Sequence, residues 1–286
     1  MSKRKKKRKQ IVWGVIFLGL ISCLVLVSWL WQKAKNSIWD GQTSLGVVYQ
    51  DKEELSLVVI MPDYLRRVEL VIPGNTMVKS GFGYGEYQLK NVYELGGLEG
   101  QGGRVLSRAV ENLMAIGVTG WQAGEVTNLS WWDRLRLWWC QEFKLKKKTV
   151  VELSQQSAFK AETLGDGVEV FRVSQVLVDE LVNRLVFEEK LVEEGLSVAV
   201  LNASQVEGMA KNMGRIIANL GGEVRLISNL ESQSESRLLV AKKEWRASYT
   251  AKRLQGILGV GEVSLGEIDE YRADIVVVVG EDYTKL

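Results

Sequence analysis

Histidine is absent from all 286 residues. That excludes Ser-His-Asp and Cys-His nucleophile–base pairs, His-containing zinc sites and imidazole acid–base chemistry. Any catalysis would have to run on carboxylates, Lys, Arg, Tyr or hydroxyls. Cysteine occurs twice. Cys23 lies in an apolar N-terminal segment and Cys140 far downstream, a spacing that makes neither a disulfide framework nor a thiolate metal site. Proline also occurs twice, as Pro62 and Pro73, so no proline-rich stalk divides the chain. No metal and no cofactor is implied by this inventory.

The N-terminus carries the clearest positive signal. Residues 3–9 read KRKKKRK, and Ile11–Trp31 follows without a charge. At about 1.5 Å per residue such a helix spans roughly 30 Å, the thickness of a bilayer core. The basic run outweighs Lys33 and Lys35 on the far side, which predicts a cytoplasmic N-terminus and extracytoplasmic domains. The apolar stretch is too long for a cleaved signal, and WQKAKNS offers no small-x-small cleavage site, so the reading is a retained signal-anchor. Trp29, Trp31 and Trp39 are expected at the outer interface of the cell membrane. The organisation predicted is a basic tail (1–10), a transmembrane helix (11–31), a linker (32–44), a first α/β module (45–194) and a second (195–286).

A basic run can also be a nucleic-acid patch. Beside a membrane span it is a topology signal that also touches anionic lipid. With those seven residues set aside, thirty Lys and Arg face thirty-five Asp and Glu. A mildly acidic ectodomain gives no support to DNA binding.

In the first module, Leu45–Tyr49, Leu55–Met61 and Val68–Ile72 read as strands. The stretch GGLEGQGG (96–103) leads into a helix with Val105, Leu106, Ala109, Leu113 and Ile116 on one face. Trp131, Trp132, Leu135, Trp138 and Trp139 form one helical stripe, followed by Lys144, Lys146, Lys147 and Lys148. Aromatic stripes usually pack inward, which predicts a core helix; the other reading is a helix lying on the membrane surface with the lysines at headgroups. A further helix is expected over Ser174–Lys190.

The second module begins after Gly195. Its strands are expected at Leu196–Leu201, Val224–Ile227, Arg237–Ala241 and 274–280. One helix carries Met209, Met213, Ile216, Ile217 and Leu220, and another Ala247, Ala251, Leu254 and Leu258. The order βαββαβ is that of a split-βαβ sandwich with helices on one face, a self-contained fold; an open mixed α/β sheet is the alternative, because the last strand is fully apolar. The fold class is therefore α/β (α+β).

The strand–turn–helix at 198–210, VAVLNASQVEGMA, has the layout of a nucleotide-binding loop but only one glycine and no lysine before the helix begins. Asn202 is expected to close the turn through its amide, and Gly208 to let the helix pack tightly on the sheet.

The same residues carry a resemblance. The run VAVLNASQVEGMAKNMGRIIANLGGEVRLISN (198–229), AKRLQGILG (251–259) and ADIVVVVGEDY (273–283) are similar to the C-terminal domain of LytR–CpsA–Psr proteins. Asn202, Gly208, Asp274, Gly280 and Asp282 are the motif positions. The resemblance implies a binding or interaction module that is not itself an enzyme. Residues 45–175 look like a shortened, degenerate relative of the family's catalytic domain, which transfers lipid-pyrophosphate-linked glycopolymer onto the cell wall. VIPGNT (71–76) and LKNVYELGG (89–97) carry this second likeness. Gly74 stands where the resemblance implies a phosphate-binding Arg, and Asn75 where it implies an Asp. No catalytic residue is assigned. Arg104 and Arg108, i and i+4 after the glycine-rich loop, are the candidates for binding an anion or pyrophosphate at a helix N-terminus; the other reading is two solvated arginines. The function expected is a non-catalytic, single-pass bacterial envelope protein whose second module binds cell-wall glycan or an envelope protein, with no nucleic-acid partner. The alternative is a surviving glycopolymer phosphotransferase.

Overall fold

The computed structural model describes residues 37–80 and 85–284. The proposed basic tail and the apolar span Ile11–Trp31 lie outside the described residues, as do Trp29 and Trp31. Among the described residues no helix is long and apolar enough to cross a membrane.

The first module is built on β1 (Leu45–Asp51), β2 (Glu54–Met61) and β3 (Arg66–Ile72), followed by a hairpin of β4 (Met77–Ser80) and β5 (Gly85–Gln88). The helices α1 (Val92–Gly97) and α2 (Gly102–Met114) come next, then β6 (Gly120–Ala123), β7 (Val126–Thr127), α3 (Trp131–Trp139), β8 (Lys147–Glu152), a second hairpin of β9 (Phe159–Thr163) and β10 (Glu169–Val173), and α4 (Gln175–Val186). Six strands form one sheet in the order β7-β6-β1-β2-β3-β8. Its three central strands are antiparallel neighbours, while β6 and β8 join parallel. Alternation along β2 sends Leu57, Val59 and Met61 to one face and Val58 and Ile60 to the other. The first face is covered by α2, the second by Trp39 and α3. Both faces are buried, which is why LSLVVIM reads as a nearly continuous apolar run.

After the short helix α5 (Glu189–Glu194), the second module runs β11 (Ser197–Asn202), α6 (Met209–Asn219), β12 (Glu223–Asn229), β13 (Arg237–Val240), α7 (Tyr249–Leu258), β14 (Val263–Leu265), β15 (Ile275–Val279) and α8 (Glu281–Thr284). The five strands lie in the order β12-β11-β15-β13-β14. β11 is parallel to both neighbours, and β13 is antiparallel to β15. This corrects the split-βαβ expectation: β14 is an added strand, and the sheet is mixed with the apolar β15 at its centre. Both α6 and α7 cover one face; the segment from Gly266 to Ala273, with Ile268 and Tyr271, closes over the other.

Three further expectations change. The helix expected over Ser174–Lys190 is two helices, broken at Phe187 and Glu188, because Glu188 turns inward to meet a buried arginine. The Trp-rich helix exists, but its inward residues are Asp133 and Leu137; Trp131, Trp138 and Trp139 are each more than half exposed. The residues before β1 are not a loose linker where they are described. Trp39 is buried and its indole N–H donates to the Thr43 carbonyl at 2.7 Å, so it is a core residue rather than an interfacial one.

One apolar core crosses the boundary at Gly195. Leu113 and Ile116 of the first module and Val178 and Val182 of α4 belong to the same cluster as Met213, Ile217 and Ile257.

Candidate functional site

The seam between the modules is polar at its rim and held by arginines. Arg215 on α6 grips Asp179 of α4 with both arms, Nε at 2.9 Å and Nη2 at 2.7 Å, and donates a third bond to the Asn112 carbonyl of α2 at 3.1 Å. This two-pronged geometry fixes position as well as charge. Asn212, one turn earlier, donates to the Asn112 side chain at 2.6 Å. Arg253 on α7 pairs with Glu188 at 3.0 Å and donates to the Ser44 carbonyl at 2.9 Å; both charged groups are almost fully buried.

A third bolt involves the C-terminal segment. Arg108 pairs with Glu111 at 2.6 Å and its guanidinium lies 3.4 Å from the centre of the Tyr283 ring. The Tyr283 hydroxyl donates to the same carboxylate at 2.6 Å, and the Val118 N–H donates to its other oxygen at 3.1 Å. Burial pushes the Tyr283 pKa well up, so its hydroxyl stays protonated as a donor. For Arg108 burial works to lower the pKa, but Glu111 and Tyr283 together outweigh it and hold the guanidinium above its ordinary value.

Between these bolts lies a cleft of about 690 Å³. Its walls come from β4, β5, α2, β10, the start of α4 and the N-terminus of α6. Lys79, Arg108, Arg172, Lys211 and Arg215 line it, with Glu86 and Glu207. The three arginines are each held by carboxylates, Arg172 by Glu86 and Glu162. Lys79 and Lys211 are exposed and make no ion pair among the described residues. Gly208, at φ +83°, opens α6 at the cleft wall, and no side chain caps the helix. The cleft therefore offers fixed donor–acceptor pairs, two ammonium groups without an ion pair among the described residues, the Glu207 carboxylate and the positive end of a helix.

The residues singled out in the sequence are distributed as follows. Arg104 and Arg108 do share a wall, lining a second cleft of about 620 Å³ beside the glycine-rich loop. Arg104 is exposed, and its only described partner is the Asp282 carbonyl at 3.4 Å. Of the glycines at 96–103, Gly96, Gly102 and Gly103 serve packing, while Gly97 and Gly100 face open space. A Cβ on Gly103 would fall 2.0 Å from the Trp121 indole, which lies over the first turn of α2. Asn202 closes its turn as expected, donating to the Val206 carbonyl at 3.0 Å and accepting from the Ser204 N–H at 3.1 Å. Gly208 does not serve close packing: open space surrounds its Cβ position, and the positive φ is what needs glycine. The close approach of α6 to the sheet is at Gly214, against Ile227. Asp274 accepts from the Ser197 N–H at 2.9 Å, and Asp282 from the Ser236 N–H at 2.8 Å, so they fasten the two ends of β15. Gly280 lies where a Cβ would meet the Glu235 backbone at 2.5 Å.

The two segments similar to a transferase domain do meet. The Leu89 N–H donates to the Thr76 carbonyl at 2.8 Å, and the Lys90 N–H to the Gly74 carbonyl at 2.9 Å. Gly74 has no room for a side chain, since a Cβ there would stand 2.3 Å from the Glu53 carbonyl oxygen. The Asn75 amide is spent on the Glu169 carbonyl at 2.9 Å. Lys79, Asp179, Lys211 and Arg215 join the site only through the fold. Lys211 and Arg215, i and i+4 on the polar side of α6, are the signal that the sequence did contain.

Residues 195–283 match the family model described as LytR cell envelope-related transcriptional attenuator. No curated protein matches the chain. Among solved structures, Bacillus subtilis TagT aligns at 14% identity over 50% of this chain and 89% of its own, with a TM-score of 0.41. The LytR-CPS2A-psr family protein YwtF (TagT) with bound octaprenyl pyrophosphate lipid aligns at 14% over 49% and 88%, TM-score 0.41. A transcriptional regulator from Enterococcus faecalis aligns at 9% over 63% and 88%, TM-score 0.40. Likenesses of this size carry no argument about activity.

Proposed function

Since residues 195–283 form a LytR C-terminal domain, we propose that this chain is a single-pass bacterial envelope protein that binds cell-wall glycan without transforming it. The observation that carries this reading is the cleft at the seam. Sites between packed modules are the usual place for a ligand. A charge-balanced wall of held arginines, carboxylates and the Asn112 and Asn212 amides suits sugar hydroxyls, which both donate and accept. Lys79, Lys211 and the open end of α6 suit the acidic groups that such polymers carry. Transfer chemistry would need preorganised cationic donors on a developing phosphate charge, and the backbone at Gly74 excludes a side chain at the position where the transferase resemblance asks for one. The charge asymmetry around Ile11–Trp31 supports the anchored, domains-out orientation.

The test is retention of the detergent-solubilised full chain on isolated cell wall. The natural protein should be retained and released by soluble acidic glycan. A Lys79→Glu, Lys211→Glu variant should bind at least about tenfold more weakly, since two attractive contacts become repulsive. Retention unchanged in that variant, or no retention of the natural protein, would sink the proposal.

A further inference from the structure

The face of α3 that turns away from the core is aromatic and unusually bare. Trp131, Trp138, Trp139 and Phe143 are 58%, 54%, 53% and 63% exposed. They are an organised cluster: a π-helical turn over Cys140–Lys144 carries Phe143 back beneath the helix, with ring centres 4.5 Å from Trp139 and 5.8 Å from Trp138. Lys144, Lys146 and Lys148 follow, all exposed, while Lys147 shares the opposite face of β8 with Val151. Aromatic rings beside a run of lysines are the composition of an interfacial membrane surface.

The inner side of the same helix shows what lies against that surface. Asp133 is fully buried, and its carboxylate accepts from the Ser37 hydroxyl, from the Trp39 N–H at 3.2 Å and from the Ser130 N–H at 2.9 Å. Arg136 donates to the Ser37 hydroxyl at 2.8 Å and to the Trp39 carbonyl. The first described residues are thus bolted to α3. Only residues 32–36 separate Ser37 from the uncharged run Ile11–Trp31, and a chain covers at most about 3.6 Å per residue. Ser37 therefore lies within about 20 Å of the end of that run.

We propose that the outer face of α3 with Lys144, Lys146 and Lys148 seats on the leaflet from which the chain emerges, the rings entering the interfacial layer and these lysines meeting acidic headgroups. This rests on the anchored reading above. It fixes the orientation of the whole molecule: α2, α4 and α6 lie on the other side of the six-stranded sheet, so the glycan cleft faces away from the membrane.

The test uses the full chain in vesicles of phosphatidylcholine and phosphatidylglycerol. In a Cys23→Ala, Cys140→Ala background, an environment-sensitive fluorophore is attached at Phe143→Cys or, as the distant control, at Ser228→Cys on the exposed strand β12. Nitroxide-labelled lipid should extinguish emission from position 143 and leave position 228 unchanged. Changing Lys144, Lys146 and Lys148 to Glu should reduce the quenching at 143. Equal quenching at both positions, or none at 143, overturns the seating. Alkaline carbonate extraction separates this from the anchor: retention without quenching at 143 overturns the seating alone, whereas release with quenching at 143 overturns the anchor alone. Should the cysteine-free background not fold, brominated lipid is applied to the natural sequence. The fraction of tryptophan emission quenched must then fall in a Trp138→Ser, Trp139→Ser variant; no fall overturns the seating.

Discussion

Two helices, α3 and α6, carry similar apolar stripes and use them in opposite directions. α6 buries Met209, Met213, Ile216 and Ile217 between the second sheet and the first module, and turns Lys211 and Arg215 to the cleft. α3 buries an aspartate and one leucine and leaves three tryptophans outside. The difference lies in what each helix must satisfy. α6 has no charged group on its inner face, so apolar burial orients it and the Arg215–Asp179 pair at the rim fixes its position. On α3 the Asp133 carboxylate accepts from the Ser130 backbone N–H while the Ser130 hydroxyl accepts from the Asp133 N–H, and the chain at 37–39 claims the same carboxylate. A buried carboxylate with several donors outweighs the placing of a few rings, because leaving it unpaired costs more than exposing them.

The sharpest way to break this contrast is a charge on the inner face of α6. Ile217→Asp puts an unpaired carboxylate at a fully buried position and should cost about 4 kcal/mol or more. A thermal melt close to that of the natural protein would mean the face is misassigned. Next comes the bond that seats the end of α6. Glu188 accepts from Arg253 and its N–H holds the Leu220 carbonyl at 3.0 Å. Glu188→Ala keeps that backbone bond but strands the buried Arg253 guanidinium, for an expected loss of about 3–5 kcal/mol in denaturant unfolding. Because the bridge spans the modules, both should unfold in one transition; two separate transitions would show that residues 195–286 are the independent unit their sequence suggests. On α3, Asp133→Ala removes the buried acceptor and should cost about 2–3 kcal/mol while freeing residues 37–39 to exchange their amide hydrogens. Protection unchanged at Trp39 would contradict the bolt. The smallest effect belongs to the rings: Trp138→Lys should leave unfolding stability within about 0.5 kcal/mol. A large loss would show that the ring packs inward after all.

The contrast also marks what could be read in advance. The strands and the two helices of the second module were legible because apolar residues recur at regular spacing against a single partner layer, and GMA, GG and the last apolar strand punctuate them. The added strand Val263–Leu265 was not, being three residues long. The hairpin Phe159–Val173 was not, because one strand, FKAET, is mostly polar and exposed. The break in the helix at Phe187 has no glycine or proline to announce it; its cause is Arg253, more than sixty residues away. The orientation of α3 was hidden for the same reason, since the groups that claim Asp133 precede β1 in the chain. Arg104 and Arg108 were visible as a pair, but the partner that occupies Arg108, Tyr283, is almost at the other end of the described chain.

The central claim is that α6 presents Lys211 and Arg215 to a glycan that is held and not transferred. The direct measurement is one reaction mixture read in two ways. The full chain in detergent is incubated with lipid-linked oligosaccharide, Mg²⁺ and an acceptor wall glycan; glycan binding is measured by titration and transfer by mass spectrometry. The account predicts saturable binding that weakens in the Lys79→Glu, Lys211→Glu variant, with no transferred product. Product that forms with the natural chain and disappears in an Arg104→Ala, Arg108→Ala variant would contradict it.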